Sequence, residues 1–271
     1  MMSQPVGVIG AGRMGLALIG HLARKGFATL ATDLDVSRKS EIEKSGAAWR
    51  AGAQELAAEC DVVLVCVGYD HELRALLRDP VLLAAAKPGA IYAVLSTVHP
   101  KTVQALAAHC SKSGIHVVDA TMCRGGKAAD QGTLLSFVGG EAALVERLRP
   151  VLAAFSSDIV HTGALGSAQV AKAVNNLIMW ACLTADHEGL ALARRYGLDV
   201  EKLRKALLIS SAANNALANW GTQSMAWAED DMAIVAQMAA ESGISLPQAG
   251  LTRELCRALK PRRYKLDDYG R

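Results

Sequence analysis

Apolar residues arrive in two rhythms along this chain of 271 residues, and the change of rhythm divides it. In the first part, short apolar runs alternate with amphipathic stretches, the pattern of strand and helix units that build a largely parallel sheet. Residues 6–9, 28–32, 62–67, 91–95, 117–120, 135–138 and 159–162 read as strands. Residues 14–25, 37–45, 71–77, 101–111 and 141–155 read as helices between them. After Thr162 the strand signal does not return. Residues 164–196 make one proline-free helical run with only Gly166 and Gly189 inside it, and "YGLD", "NWG" and "SGISLP" punctuate further helices beyond. The fold class expected is α/β: an amino-terminal α/β domain over residues 1–162, then an all-helical carboxy-terminal domain over 163–271, linked by a long interdomain helix. A chain of this length exceeds the usual single domain, which fits such a division.

Composition narrows the class. The hydrophobic share of 51% against 20% charged residues describes an ordinary globular protein, and an aromatic share of 4% argues against an aromatic-lined sandwich. A net charge of +3 from scattered basic residues leaves no footprint for nucleic acid. The densest basic stretch, "KPRRYKLDDYGR", is offset by Asp267 and Asp268 and reads as a solvated terminus. Six cysteines form no CxxC pair, so reduced thiols in the cytoplasm are expected. The start "MMSQPVGVIG" lacks a basic segment followed by an apolar one, and no apolar run is long enough for a bilayer; a soluble protein without a membrane partner is expected. No cluster has metal-ligand spacing, so no metal is expected. Internal repeats are absent.

"VGVIGAGRMG" places Gly10, Gly12 and Gly15 directly after an apolar strand and at a helix start. That spacing suits a tight turn, a backbone that can touch a pyrophosphate, and close packing of helix on strand, with the helix amino terminus facing the anion. A plain turn would also tolerate glycines. Asp33, closing the next strand in "LATDLD", supplies the acid such a Rossmann site needs for an adenosine ribose. A carboxylate there repels a 2′-phosphate, so NAD is the cofactor expected; Arg38, a few residues on, leaves NADP open.

Between Asp158 and Asp186 only Lys172 carries a full charge at neutral pH. Helical spacing puts Lys172, Asn175 and Asn176 on one facet of an otherwise apolar helix. A lysine can also snorkel to solvent while asparagines bridge neighbouring helices. An amine among apolar side chains is disfavoured as a charge, however, and can exchange a proton with a substrate hydroxyl as hydride leaves or joins the carbinol carbon. Asn176, one turn on, could orient that hydroxyl. "VVDATMCRGGKAADQG" adds Gly125 and Gly126, whose uncovered N–H groups could cradle a substrate carboxylate, with Arg124 beside them for a bidentate contact. A flexible surface turn with a solvated arginine accounts for the same residues.

These residues together resemble the β-hydroxyacid dehydrogenases, a family that includes 3-hydroxyisobutyrate dehydrogenase and tartronate semialdehyde reductase. "GVIGAGRMGLALIGHL" is similar to the family's cofactor loop, "LVCVGYDHELRALL" to its fourth strand and following turn, and "LSTVHP" to its serine-threonine segment. "GALGSAQVAKAVNN" is similar to the stretch bearing the catalytic lysine and asparagine, and "HEGLALARRYGLD" to the end of the interdomain helix. The resemblance implies Lys172 as acid–base group with Asn176 as its orienting partner. It implies a cofactor lined by Arg13, Met14, Val67, Gly68, Ser96 and Thr97, and a small carboxylate substrate held by Arg124, Gly125, Gly126 and Asn175. It also implies a homodimer or homotetramer. The chain departs from the family in reading "DATMCRGG", one residue longer than the usual DAPVSGG, and "DDM" (Asp230 to Met232) where a KDL segment is usual, so a second cofactor-side lysine is missing. Two rivals follow. An imine reductase shares the fold but generally carries another residue in place of Lys172; a nucleotide-binding protein without chemistry would bind nicotinamide and oxidise nothing.

Overall fold

The computed structural model describes residues 5–270. Residues 1–4 and 271, which belong to the amino-terminal stretch and the tail of the sequence reading, lie outside the described residues. Strands β1 (Val6–Ile9), β2 (Thr29–Thr32), β3 (Ala48–Trp49), β4 (Val62–Val65), β5 (Ile91–Val94), β6 (His116–Cys123), β7 (Leu134–Gly139) and β8 (Ser156–Gly163) form one sheet. Their order is β3-β2-β1-β4-β5-β6-β7-β8. Neighbours run parallel except β6 and β7, which pair antiparallel. Between the strands lie α1 (Arg13–Arg24), α2 (Lys39–Lys44), α3 (Ala53–Glu59), α4 (Asp70–Arg78), α5 (Pro80–Ala85), α6 (Pro100–Cys110), α7 (Gly125–Gln131) and α8 (Ala142–Leu152).

The inner strands read as unbroken apolar runs because both faces of the sheet are covered. Val8, Leu64, Ile91 and Ala93 enter one core cluster, while Ile9, Val63, Val65, Tyr92 and Val94 enter the other. Alternate residues of a strand point to opposite faces, so each apolar run feeds two cores. The strand order reverses between β1 and β4, and the chain leaves β1 toward β2 on one side while β4 continues on the other. That switch point opens a crevice at the carboxyl ends of both strands, where such sheets bind ligands.

After β8 comes α9 (Ser167–Arg195), then α10 (Val200–Leu207), α11 (Asn215–Ala218), α12 (Ala228–Ser242) and α13 (Pro247–Leu259). The chain divides into two compact units, one ending at Lys172 and one starting at Ala173, and α9 begins in the first and ends in the second. The second unit has its own core of Trp180, Leu183, Met225, Met232, Cys256 and Leu259. Inside it the indole Nε1 of Trp180 donates to Asp231 Oδ2 at 2.9 Å. Among the described residues no helix is long and apolar enough to cross a membrane.

The structure differs from the sequence expectation in its small elements. Strand β3 and helices α3 and α5 were not expected, being too short for periodicity to register: two, seven and six residues. Residues 37–45 form a 3-10 turn (Val36–Arg38) followed by α2 rather than one helix. Strand β6 continues through Thr121 and Met122 to Cys123, and β8 starts in the polar stretch at Ser156, because pairing with β7 extends both strands beyond the apolar runs read from the sequence. The glycine pair opens a helix, α7, that propensity argues against.

Candidate active site

The three loop glycines do three jobs. Gly10 has φ +97°, and a Cβ on it would overlap the Cys66 carbonyl across the switch point. A Cβ on Gly15 would overlap the Gly10 carbonyl, so its absence lets α1 pack against the turn. At Gly12 a Cβ would meet nothing within 4 Å. That open side borders the amino terminus of α1, which has neither a side-chain cap nor an acid in its first turn. Uncovered N–H groups and the helix dipole there suit a pyrophosphate. The residues present therefore fit a dinucleotide.

Asp33, half-buried, holds this loop. Its Oδ2 accepts the Ala11 N–H at 2.6 Å, and its Oδ1 accepts the Asp35 N–H at 2.9 Å. Arg38 pairs with Glu41 at 2.8 Å and with Asp35 at 3.8 Å, and its charge is also drawn by Asp33. From the same loop, Arg13 reaches the Asp130 carboxylate of α7 at 2.6 Å and the Gly126 carbonyl at 3.4 Å. Met14, next to it, is half-buried against the core.

Across the crevice, Val67 and Gly68 follow β4, and Gly68 N–H is held by Glu72 at 2.9 Å. Ser96 Oγ donates to the Val67 carbonyl at 2.7 Å, which ties the segment after β5 to the one after β4. Thr97, the next residue, is half-buried.

Lys172 ends the first unit on α9. Its Nζ donates to the Met122 carbonyl at 2.7 Å and lies 4.0 Å from Cys123 Sγ. Strand β6 fixes that placement. Asp119, wholly buried, accepts the Gly166 N–H on Oδ1 at 2.8 Å and the Gln169 N–H on Oδ2 at 3.0 Å. Thr121 Oγ1 donates to the Ala168 carbonyl at 3.0 Å. Asp119 thus caps α9 and satisfies N–H groups that a helix start leaves open. Burial pushes the Asp119 carboxyl up from its ordinary value, and the N–H groups of Gly166 and Gln169 pull it back. Sequence reasoning missed Asp119, Thr121 and Gln169; the available signals were an acid ending an apolar strand and a glutamine among alanines in "GSAQVAK".

The Arg124–Gly126 segment is built differently from a loose loop. Arg124 has φ +81° and Gly125 +74°, two left-handed residues in succession, of which the first is costly for a side chain. Gly125 faces open space. The Arg124 guanidinium is drawn to Asp158 at 2.6 Å, Ser157 Oγ at 2.9 Å and the Thr133 carbonyl at 3.1 Å. In the second unit, Asn176 is buried and its Oδ1 accepts from Asn175 Nδ2 at 3.0 Å.

Residues 5–163 match the family profile described as the NAD binding domain of 6-phosphogluconate dehydrogenase. Residues 166–269 match the one described as NAD-binding of NADP-dependent 3-hydroxyisobutyrate dehydrogenase. A 2-(hydroxymethyl)glutarate dehydrogenase from Eubacterium barkeri is 30% identical over 213 residues, 78% of this chain and 71% of that protein. An NAD-dependent L-serine dehydrogenase from Pseudomonas aeruginosa is also 30% identical, over 78% of this chain and 72% of its own length. In fold, the chain resembles the Mycobacterium tuberculosis 3-hydroxyisobutyrate dehydrogenase solved with L-serine, at a TM-score of 0.87 and 24% identity, covering 97% of this chain and 95% of that one. The chain belongs to the β-hydroxyacid dehydrogenase family and is an oxidoreductase.

Proposed function

We propose that this chain moves a hydride between NAD and a small β-hydroxy acid, or the matching semialdehyde or keto acid, with Lys172 as the acid–base group. The observation that carries the reading is the Lys172 Nζ held 2.7 Å from the Met122 carbonyl, on a helix start anchored by the buried Asp119. Bound NAD supplies the hydride acceptor at its nicotinamide. As the neutral amine, Lys172 takes the substrate's hydroxyl proton while the carbinol carbon becomes a carbonyl; as the ammonium it returns that proton in the reverse direction. Asn176, three to four residues further along α9 with Asn175, orients the substrate oxygen, since an amide can both donate and accept. The Arg124–Gly126 segment receives the carboxylate, with the Arg124 charge shared with Asp158.

The preference for NAD rests on Asp33, Asp35 and Glu41 around Arg38: a 2′-phosphate brought there meets carboxylates and an arginine already engaged. Residues 1–162 bind the dinucleotide in this reading, and residues 163–271 serve substrate closure and self-association. Val174 and Ile178, exposed one turn apart on the second unit's part of α9, support a homo-oligomer. A cytoplasmic location is supported by six cysteines that form no disulfide. The experiment is a panel of 3-hydroxyisobutyrate, L-serine and 2-(hydroxymethyl)glutarate, each with NAD and NADP, read by the absorbance of the reduced nicotinamide. Turnover of one of them with NAD is expected; reduction of a cyclic imine with no turnover of any hydroxy acid contradicts the proposal.

A further inference from the structure

Gln169 lies three residues before Lys172 on α9, and its side chain is wholly buried with both ends hydrogen-bonded. Its Nε2 donates to the Ser96 carbonyl at 2.9 Å, and its Oε1 accepts the Val98 N–H at 2.9 Å. The carboxamide therefore clamps the backbone on both sides of Thr97. Its own N–H is held by Asp119 at 3.0 Å. One residue thus joins the segment expected to line the cofactor, Ser96 and Thr97, to the helix turn that carries the proposed acid–base amine.

We propose that Gln169 is a positioning residue that sets the register between the cofactor-side segment and Lys172, so that hydride acceptor and proton acceptor stay at fixed separation. This rests on the reading of Lys172 as the acid–base group. Only a primary amide of this length fits both bonds: one end must donate to a carbonyl and the other must accept from an N–H. In Gln169→Glu the shape and the acceptor for Val98 remain, but an oxygen replaces the donor facing the Ser96 carbonyl. In Gln169→Leu both bonds go, leaving a buried donor and acceptor unmet. Either change lets the Ser96–Val98 backbone shift relative to α9. A displacement near 1 Å between reacting groups costs about 100-fold in rate.

The test uses the full chain with 3-hydroxyisobutyrate and L-serine as substrates and NADH as the binding probe. For Gln169→Glu and Gln169→Leu, kcat is expected to fall about 100-fold, and the isotope effect on transfer of the carbinol hydrogen to rise toward its intrinsic size. NADH affinity should change by less than about 3-fold, because the glycine loop and Asp33 are untouched. Unchanged kcat in both variants overturns the proposal. So does a parallel loss of kcat, NADH affinity and melting temperature, which marks a merely structural residue. Should neither variant fold, Asp119→Asn loosens the same turn while leaving the carboxamide in place; there too kcat must fall while NADH affinity holds. Lys172→Ala run alongside separates the two readings. If it keeps full turnover, the acid–base assignment fails and this inference with it; if it is inactive while Gln169→Leu is not, only the positioning role fails.

Discussion

The carboxylate of Asp33 accepts the backbone N–H of Ala11 at 2.6 Å, so the acid expected to meet a ribose also fixes the loop that meets the pyrophosphate. A bond from an N–H to a charged acceptor contributes about 1.5–3 kcal/mol. Asp33→Ser should therefore lower kcat/KM with NAD by about 10-fold or more and raise the relative use of NADP. Steady-state kinetics with both dinucleotides decide it; an unchanged NAD to NADP ratio removes Asp33 from cofactor choice.

Gly139 sits opposite Asp119 in the β6–β7 pairing. A Cβ there would come 2.5 Å from Asp119 Oδ1 and 2.8 Å from Ser167 Oγ. Gly139→Ala should destabilise the fold by about 1–3 kcal/mol, the usual range for a side chain forced into packed space. Because it displaces the cap of α9, kcat should fall as well. Denaturant titration and kinetics on the same sample test both statements.

Arg124 shares its charge with Asp158, so its removal should not resemble the loss of an unopposed arginine. Arg124→Ala is expected to raise the KM for the hydroxy acid by about 3- to 10-fold with kcat unchanged, the signature of binding felt equally by ground and transition states. A fall in kcat with unchanged KM would contradict this.

His187 gives the second unit a dependence on pH. Its Nδ1 donates to the Leu183 carbonyl at 2.8 Å, and its Nε2 accepts the Tyr264 N–H at 3.1 Å, with Trp220 4.5 Å away. Burial holds the imidazole below its ordinary value. The unfolded chain therefore binds the proton at a higher pH than the folded one. The stabilising contribution is complete above a pH of about 6.5 and is lost as the pH falls below it. A lower urea midpoint at mildly acidic pH is expected in the wild type, with a weaker pH dependence in His187→Asn. Equal pH dependence in the two excludes His187 as its source.

The sheet and the glycine loop were legible because they are written in local signals. Both-face burial gives β1, β4 and β5 continuous apolar runs, and the spacing of Gly10, Gly12 and Gly15 directly after an apolar strand is visible in the sequence, although the contact that excludes a Cβ at Gly10 comes from Cys66. Lys172 stood out as the lone charge between Asp158 and Asp186 and by its spacing to Asn175 and Asn176. What surrounds it did not, since Asp119 and Gln169 acquire their roles from partners 50 and 73 residues away. The Arg124 side chain was placed from its neighbours in sequence, the two glycines, whereas its ion pair with Asp158 spans 34 residues. Helix α7 was hidden for a related reason: its start is fixed by backbone conformation at Arg124 and Gly125, and no propensity scale favours a helix opening on two glycines.

The central claim is that the amine of Lys172 exchanges the substrate proton, and single-turnover mixing of the Lys172→Ala variant with NAD and saturating hydroxy acid addresses it most directly. Reduced nicotinamide is expected to form at least about 100-fold more slowly than in the wild type, while NADH binds within about 3-fold of its normal affinity. A variant that forms it at the wild-type rate, or one that loses NADH binding to the same degree as turnover, would contradict the account.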